Sequence, residues 1–217
     1  PSVLIVPLED AFGWSRDQIS LAISVNILLY GLTAPFAAAL MERFTVRKVV
    51  ITALATVSAG AFFTIFMTAP WQLVLLWGVV VGMGTGSMAL VFAATIASRW
   101  FLQRRGLVTG ALTAAAATGQ LVFLPALSTI AMNHGWKSVS ITIAVAAAAV
   151  IPLIWWGLNE NPTDIGAKPY GAPEDWQAPA RLQGNAARNA IDALKNGSKH
   201  KDFWLLFGTF FVCGLTT

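Results

Sequence analysis

Charged residues fall along this chain in short clusters, and the intervals between clusters are long and apolar. No charge occurs between Asp17 and Glu42, an interval of 24 residues. Lys48 and Arg99 bracket 50 uncharged residues, Arg105 and Lys137 bracket 31, and Lys137 and Glu160 bracket 22. A helix rising 1.5 Å per residue needs about 20 apolar residues to cross a bilayer core. The intervals of 24, 31 and 22 residues each predict one span. The longest predicts two, divided at Thr68-Ala69-Pro70-Trp71-Gln72, where proline cannot continue a helix and tryptophan favours the headgroup layer. Spans are expected near residues 18–41, 49–69, 72–98, 106–132 and 138–158. Two apolar pieces flank them: Pro1–Leu8, too short to cross, and Phe203–Thr217, still apolar at the last residue. They predict a fragment that begins late in span 1 and ends inside span 7; a cleaved signal peptide is the alternative for the start.

Composition agrees with immersion in lipid. Charged residues make up 11% of the 217, against about 25% in soluble domains. Disorder requires the opposite balance of hydrophobicity and charge. One cysteine (Cys213, expected to be a packing residue) and two histidines (His134, His200) cannot assemble a Cys/His metal site. No Ser/His/Asp set, paired carboxylate or phosphate loop lies in the apolar intervals, so no catalytic residue, cofactor or metal is expected, and no enzyme activity.

Lysine and arginine alternate with the predicted loops. Loops 42–48, 99–105 and 159–202 carry three, three and six, whereas 9–17, 70–71 and 133–137 carry one, none and one. The positive-inside rule places the first set in the cytoplasm. Trp14, Trp71, Trp100, Trp136, Trp155, Trp156 and Trp204 fall at predicted span ends, as an interfacial belt would.

Deep polar groups are few. Asn26 and Gln120 are the only carboxamides in the span interiors, away from the span ends, and lie near the middles of spans 2 and 5. Such groups face protein or water, either as glue between helices or as the wall of a cavity. Tyr30 and Thr33 share the stripe of Asn26; Thr109 and Thr113 approach that of Gln120; Thr85, Met88, Phe92 and Thr95 recur on span 4. Asn26, Tyr30, Thr85, Phe92, Thr113 and Gln120 are therefore the candidates to line a central cavity. Spans 3 and 6, polar only through Ser and Thr, are expected to face lipid. Gly82-Met-Gly84-Thr-Gly86 superficially matches a dinucleotide loop, but no strand-turn-helix unit fits there; close helix approach through Gly78 and Gly82 is the better reading. Segment 159–202 is rich in proline and polar residues. It contains one potential helix, Ala186 to Lys195, with Ala190, Ile191 and Leu194 on one side. It reads as a solvated linker, or as a helix resting on the inner leaflet or on the ends of other helices.

Ala38-Ala39-Leu40-Met41-Glu42-Arg43-Phe44-Thr45-Val46-Arg47-Lys48 resembles the cytoplasmic signature of the major facilitator superfamily. Ala38 and Thr45 replace its glycines and Glu42 its Asp. Glu9-Asp10-Ala11-Phe12-Gly13-Trp14-Ser15-Arg16, Arg99-Trp100-Phe101-Leu102-Gln103-Arg104-Arg105-Gly106-Leu107 and Gly135-Trp136-Lys137 are similar to its monocarboxylate and oxalate/formate branch. The resemblance implies an all-α membrane protein, with this chain the amino-terminal six-helix half of a twelve-span fold. Residues 1–158 would form that bundle, 159–202 the cytoplasmic central loop and 203–217 the start of span 7. It implies a secondary active transporter working by alternating access in the bacterial inner (plasma) membrane. The substrate would be a small organic anion such as a monocarboxylate, with proton or counter-anion coupling. Glu42, Arg43, Arg47 and Lys48 would form a cytoplasmic gating motif. The partners implied are the bilayer, the substrate and the carboxy-terminal half of the same protein, with no nucleic acid. A transporter of a neutral solute, and a sensor or scaffold of the same fold, are the alternative readings.

Overall fold

Ser15 opens the first long helix. In the computed structural model, which describes residues 4–174, 176 and 186–215, a short helix α1 (Ile5–Phe12) ends at Gly13 in the left-handed conformation. Ser15 and Gln18 then form a reciprocal capping box for α2 (Arg16–Arg43). Arg16 also pairs with Glu9 at 2.9 Å, tying the two helices across the turn. The segment 9–17, expected as a loop, is thus mostly helix, with only Gly13, Trp14 and Ser15 between the two elements. Thr45 caps α3 (Val46–Thr64), its Oγ1 accepting from the Lys48 N–H.

The division of the 50-residue apolar interval lies where proline and glutamine place it. Pro70 starts α4 (Pro70–Trp100), and the Gln72 side-chain Oε1 accepts the backbone N–H groups of Thr68 and Ala69. Within α4, Val74–Val81 is π-helical, a widened ladder with i to i+5 pairing.

Helix α5 (Arg105–Gly157) has 53 residues, about 80 Å if straight, far more than a bilayer core of about 30 Å. It breaks at Gly135, whose φ of 76° and ψ of 174° are non-helical. The break falls inside the expected 133–137 loop and yields two arms. Pro35, Pro125 and Pro152 lie within continuous helix. Beyond α5 come a 3₁₀ turn (Pro162–Ile165), α6 (Ala186–Gly197) and α7 (Lys201–Leu215). The side chain of Cys213 lies outside the described residues.

Four helices, α2 to α5, are long and apolar enough to cross a membrane, and the break makes α5 two spans. Glycines set how closely they pack. Gly78, Gly82 and Gly86 recur every four residues on the α4 face against α2, where added Cβ atoms would meet the backbone of Ala22, Asn26 and Tyr30. Gly84 does the same toward α3, against Val57 and Ala53. The glycine run is a packing seam.

One core cluster joins Leu8, Ile19, Trp77, Trp136 and Val139; another joins Met41, Val46, Val50 and Leu54 with Ile151 and Ile154. Spans 3 and 6 therefore pack on each other, and Ser58 Oγ donates to the Ala144 carbonyl across that contact at 2.8 Å. Trp71, Trp155, Trp156 and Trp204 are exposed near helix ends. Trp136, placed by sequence in the interfacial belt, is instead buried, its ring 5.4 Å from that of Phe12. The aromatic side chain is covered there because α1 folds back onto the Gly135 break.

Gly135→Ala tests the break. A side chain at that positive φ costs of order 1–3 kcal/mol, while Gly106→Ala, in open space, costs nothing comparable. Thermal unfolding in detergent should show a lower midpoint for the first variant only.

Candidate functional site

Two arrangements of polar groups stand out, one in the middle of the α2/α4 seam and one at the basic end of the bundle. In the seam, Asn26 Nδ2 donates to the Trp77 carbonyl at 2.8 Å. That carbonyl lies in the π-helical stretch, where the ladder is re-registered and a side-chain donor can compensate. The carboxamide therefore acts as a bond between helices, worth about 0.6–1 kcal/mol in a membrane setting.

Around it the six cavity candidates separate. The backbone of Tyr30 packs on Gly86, and the residue is 42% exposed. Thr85 is half-buried, its hydroxyl turned back onto the Val81 carbonyl at 2.9 Å. Phe92 packs into the second core cluster beside Val50 and Met41. Thr113 and Gln120 lie on the exposed first arm of α5, Thr113 donating to the Thr109 carbonyl. Asn26 and Tyr30 are thus together on one seam, while Phe92, Thr113 and Gln120 sit elsewhere.

At the basic end the centre is Glu160, which sequence reasoning passed over. Its carboxylate accepts the N–H of Val46 at 3.3 Å and of Arg47 at 3.1 Å, occupying the positive end of α3. It also pairs with Arg99 at 3.6 Å, in a setting where the two side chains are only 14% and 21% exposed. Arg99 in turn donates to the Met41 carbonyl, in the last turn of α2, at 3.2 Å. Arg47 Nε donates to the Leu158 carbonyl at the end of α5 at 2.8 Å, a cation on a helix C-terminus. Two arginines and one carboxylate thereby hold the ends of α2, α3, α4 and α5 together. A signal was present: a carboxylate just beyond a helix C-terminus opposes that helix's dipole, so it serves another partner.

The four residues of the expected gating motif take different places. Glu42 lines a cavity of about 630 Å³ with Arg99, Arg105, Glu160 and Asp164. Arg47 is held inside the cluster. Arg43 lies over the Phe44 ring at 5.3 Å, and Lys48 is exposed on another flank, lining a separate groove.

Segment 159–202 is not wholly a free linker. Tyr170 donates its N–H to the Trp100 carbonyl at 2.8 Å and accepts from Leu102 at 2.9 Å, fixing the loop to the end of α4. Ala190 of α6 is buried against Ala39 of α2, while Ile191 and Leu194 are exposed. Docking wins over solvation because a small residue on each helix lets the backbones approach. Residue 175 and residues 177–185 of this segment lie outside the described residues.

Comparison with known proteins agrees with this architecture. The family model described as Major Facilitator Superfamily matches residues 1–217. The chain is 29% identical over 176 residues to the uncharacterized MFS-type transporter YcxA of Bacillus subtilis (strain 168), covering 80% of this chain and 42% of that protein. It is 28% identical over 194 residues to monocarboxylate transporter 7 of Homo sapiens, covering 88% and 36%. It is 26% identical over 199 residues to the gallate transporter of Pseudomonas putida, covering 89% and 43%. The chain spans less than half the length of each of these relatives. A chain whose described residues are mostly helical and form no strand, with glycine-packed spans, helix ends joined by arginine and glutamate and its whole length matched by one family model, belongs to the major facilitator superfamily of membrane transporters.

Proposed function

We propose that the protein containing this chain is a secondary active transporter of a small organic anion of the monocarboxylate class, working by alternating access. Alternating access by rocking needs each half to move as one body. The arginine–glutamate cluster at Glu160 is the observation that carries the reading, because it locks four span ends into one unit. The substrate class rests on the relatives named as monocarboxylate and gallate transporters. No Lys or Arg lies within the apolar intervals, so a carboxylate's charge would be met by the other half of the protein.

In this reading residues 1–158 are the amino-terminal bundle, 159–202 the cytoplasmic central loop and 203–217 the start of the next bundle, with the basic end in the cytoplasm. Tyr30, Thr85, Thr113 and Gln120 contribute to the solute path. Asn26 positions the α2/α4 seam beside it, and Phe92 supports the wall from behind. Glu42 and Arg47 belong to the cytoplasmic gate through the cluster; Arg43 and Lys48 flank it.

Flux into proteoliposomes holding the intact protein tests this, with lactate, benzoate and glucose as probes. Carboxylate uptake that saturates, with no glucose uptake, is the expected result. Gln120→Leu and Tyr30→Phe should each change apparent affinity or selectivity several-fold while the protein remains folded. Unchanged uptake in both would remove them from the path, glucose flux would favour a neutral solute, and absence of any flux would favour a sensor or scaffold.

A further inference from the structure

A groove of about 450 Å³ opens on the flank of the bundle where α2, α3 and α4 meet. Lys48 is the one charged residue in its lining, and the remainder is dominated by Leu40, Phe44, Val80 and Met83. Two of its three hydroxyls are bonded back to their own helices. Thr56 Oγ1 donates to the Thr52 carbonyl and Ser87 Oγ to the Met83 carbonyl, both at 2.8 Å. A groove lined in this way offers hydrocarbon along its length and one cation at its mouth.

Its dimensions match part of a lipid. Lys48 lies in the first turn of α3, and Thr56 lies two turns further along the same stripe. Eight residues of helix span about 12 Å, close to half of a hydrocarbon core of about 30 Å. Gly84 makes the floor solid: a Cβ there would sit 2.7 Å from Val57 Cγ2 and 3.0 Å from the Ala53 carbonyl, so α3 and α4 are already in contact beneath the groove.

We propose that this groove binds one acyl chain of an anionic phospholipid from the leaflet at the basic end, with the headgroup phosphate on Lys48. Charge complementarity selects the occupant. The ammonium stands at headgroup level, on the side where basic residues accumulate and where anionic lipids are attracted to them. The site takes Lys48 away from the Glu160 cluster and gives it a lipid-binding role. It stands apart from the transport reading, since it is read by bound lipid and not by flux.

Native mass spectrometry of the intact protein, with phosphatidylglycerol or phosphatidylcholine added as probes, tests it. The wild type should retain phosphatidylglycerol in preference to phosphatidylcholine. Lys48→Glu should cut phosphatidylglycerol retention at least fivefold, Lys48→Arg should preserve it, and Lys137→Glu at the opposite end should leave it unchanged. Thr52→Trp, at an exposed position on the groove wall, should reduce retention of both lipids by filling the acyl path. The proposal is overturned if Lys48→Glu and Thr52→Trp both keep wild-type adducts. It is equally overturned if a photo-reactive benzoylphenylalanine at Met83 captures another segment of the polypeptide, or a second copy, in place of lipid.

Discussion

Glu160→Ala should destabilise the bundle by about 2–3 kcal/mol, the sum of a broken, partly buried ion pair and a lost helix cap. Alanine leaves the Val46 and Arg47 N–H groups without their acceptor, and leaves Arg99 facing a site from which its counter-charge has gone. The full penalty of a completely buried pair does not apply, because the two side chains keep 14% and 21% of their exposure. Glu160→Gln separates the contributions. Its carbonyl oxygen can still accept one of the α3 N–H groups, so about half of the loss should return. Arg99→Gln should cost less than Glu160→Ala, about 1 kcal/mol, since the carboxylate remains satisfied by the helix end. The double variant Glu160→Gln/Arg99→Gln should fall short of the sum of its parts. Thermal unfolding of the detergent-solubilised protein reads all four. If Glu160→Ala melts with the wild type, the cluster does not hold the span ends together.

The second large effect is expected at Gly86. A Cβ there would lie 2.7 Å from the Tyr30 carbonyl oxygen and 2.8 Å from Tyr30 Cα. Both are backbone atoms, so relief requires α2 and α4 to separate. Overpacking of this kind costs about 1–3 kcal/mol for a methyl group, and a larger side chain costs more. Gly86→Ala should lower the folded yield measurably and Gly86→Leu should abolish a monodisperse peak in detergent size exclusion. Gly119→Ala is the control: nothing lies within 4 Å of its added Cβ. That substitution should be neutral or slightly stabilising, because alanine is the better helix former. Equal behaviour of the Gly86 and Gly119 variants would mean that the glycine seam does not set the helix spacing.

Several helix boundaries were legible because electrostatics writes them plainly. The apolar interval expected as 18–41 became Arg16–Arg43, and that expected as 72–98 became Pro70–Trp100. Span 3 was expected to reach residue 69 but ends at Thr64, where the chain turns before Pro70. Hydropathy does not register that turn, since Ile65, Phe66 and Met67 are as apolar as the helix before them. The docking of α6 rests on a pair of alanines, Ala39 and Ala190, and no pattern of charge or period matches one to the other.

Side-chain partners were harder to read than boundaries. Asn26 is an isolated carboxamide in the sequence, equally suited to a cavity wall or a helix seam. Its donation to Trp77 depends on a backbone carbonyl made available in a π-helical stretch, which no side chain announces. Arg47 belonged to a recognisable signature, yet its partners Leu158 and Glu160 lie more than a hundred positions away.

By itself the sequence determined that the chain is apolar enough to lie in a membrane, the approximate limits of several of its long helices, and the glycine face through which α4 packs. Charge avoids hydrocarbon at any fold, and glycine permits close approach in any helix, so both properties are local. The tertiary structure decided which helices touch: span 3 against span 6, Trp136 buried under α1, and Glu160 between the start of α3 and Arg99. Almost every face of these helices is apolar, so hydrophobicity cannot choose among neighbours. Only the folded arrangement brings a helix end and a distant carboxylate within hydrogen-bonding reach.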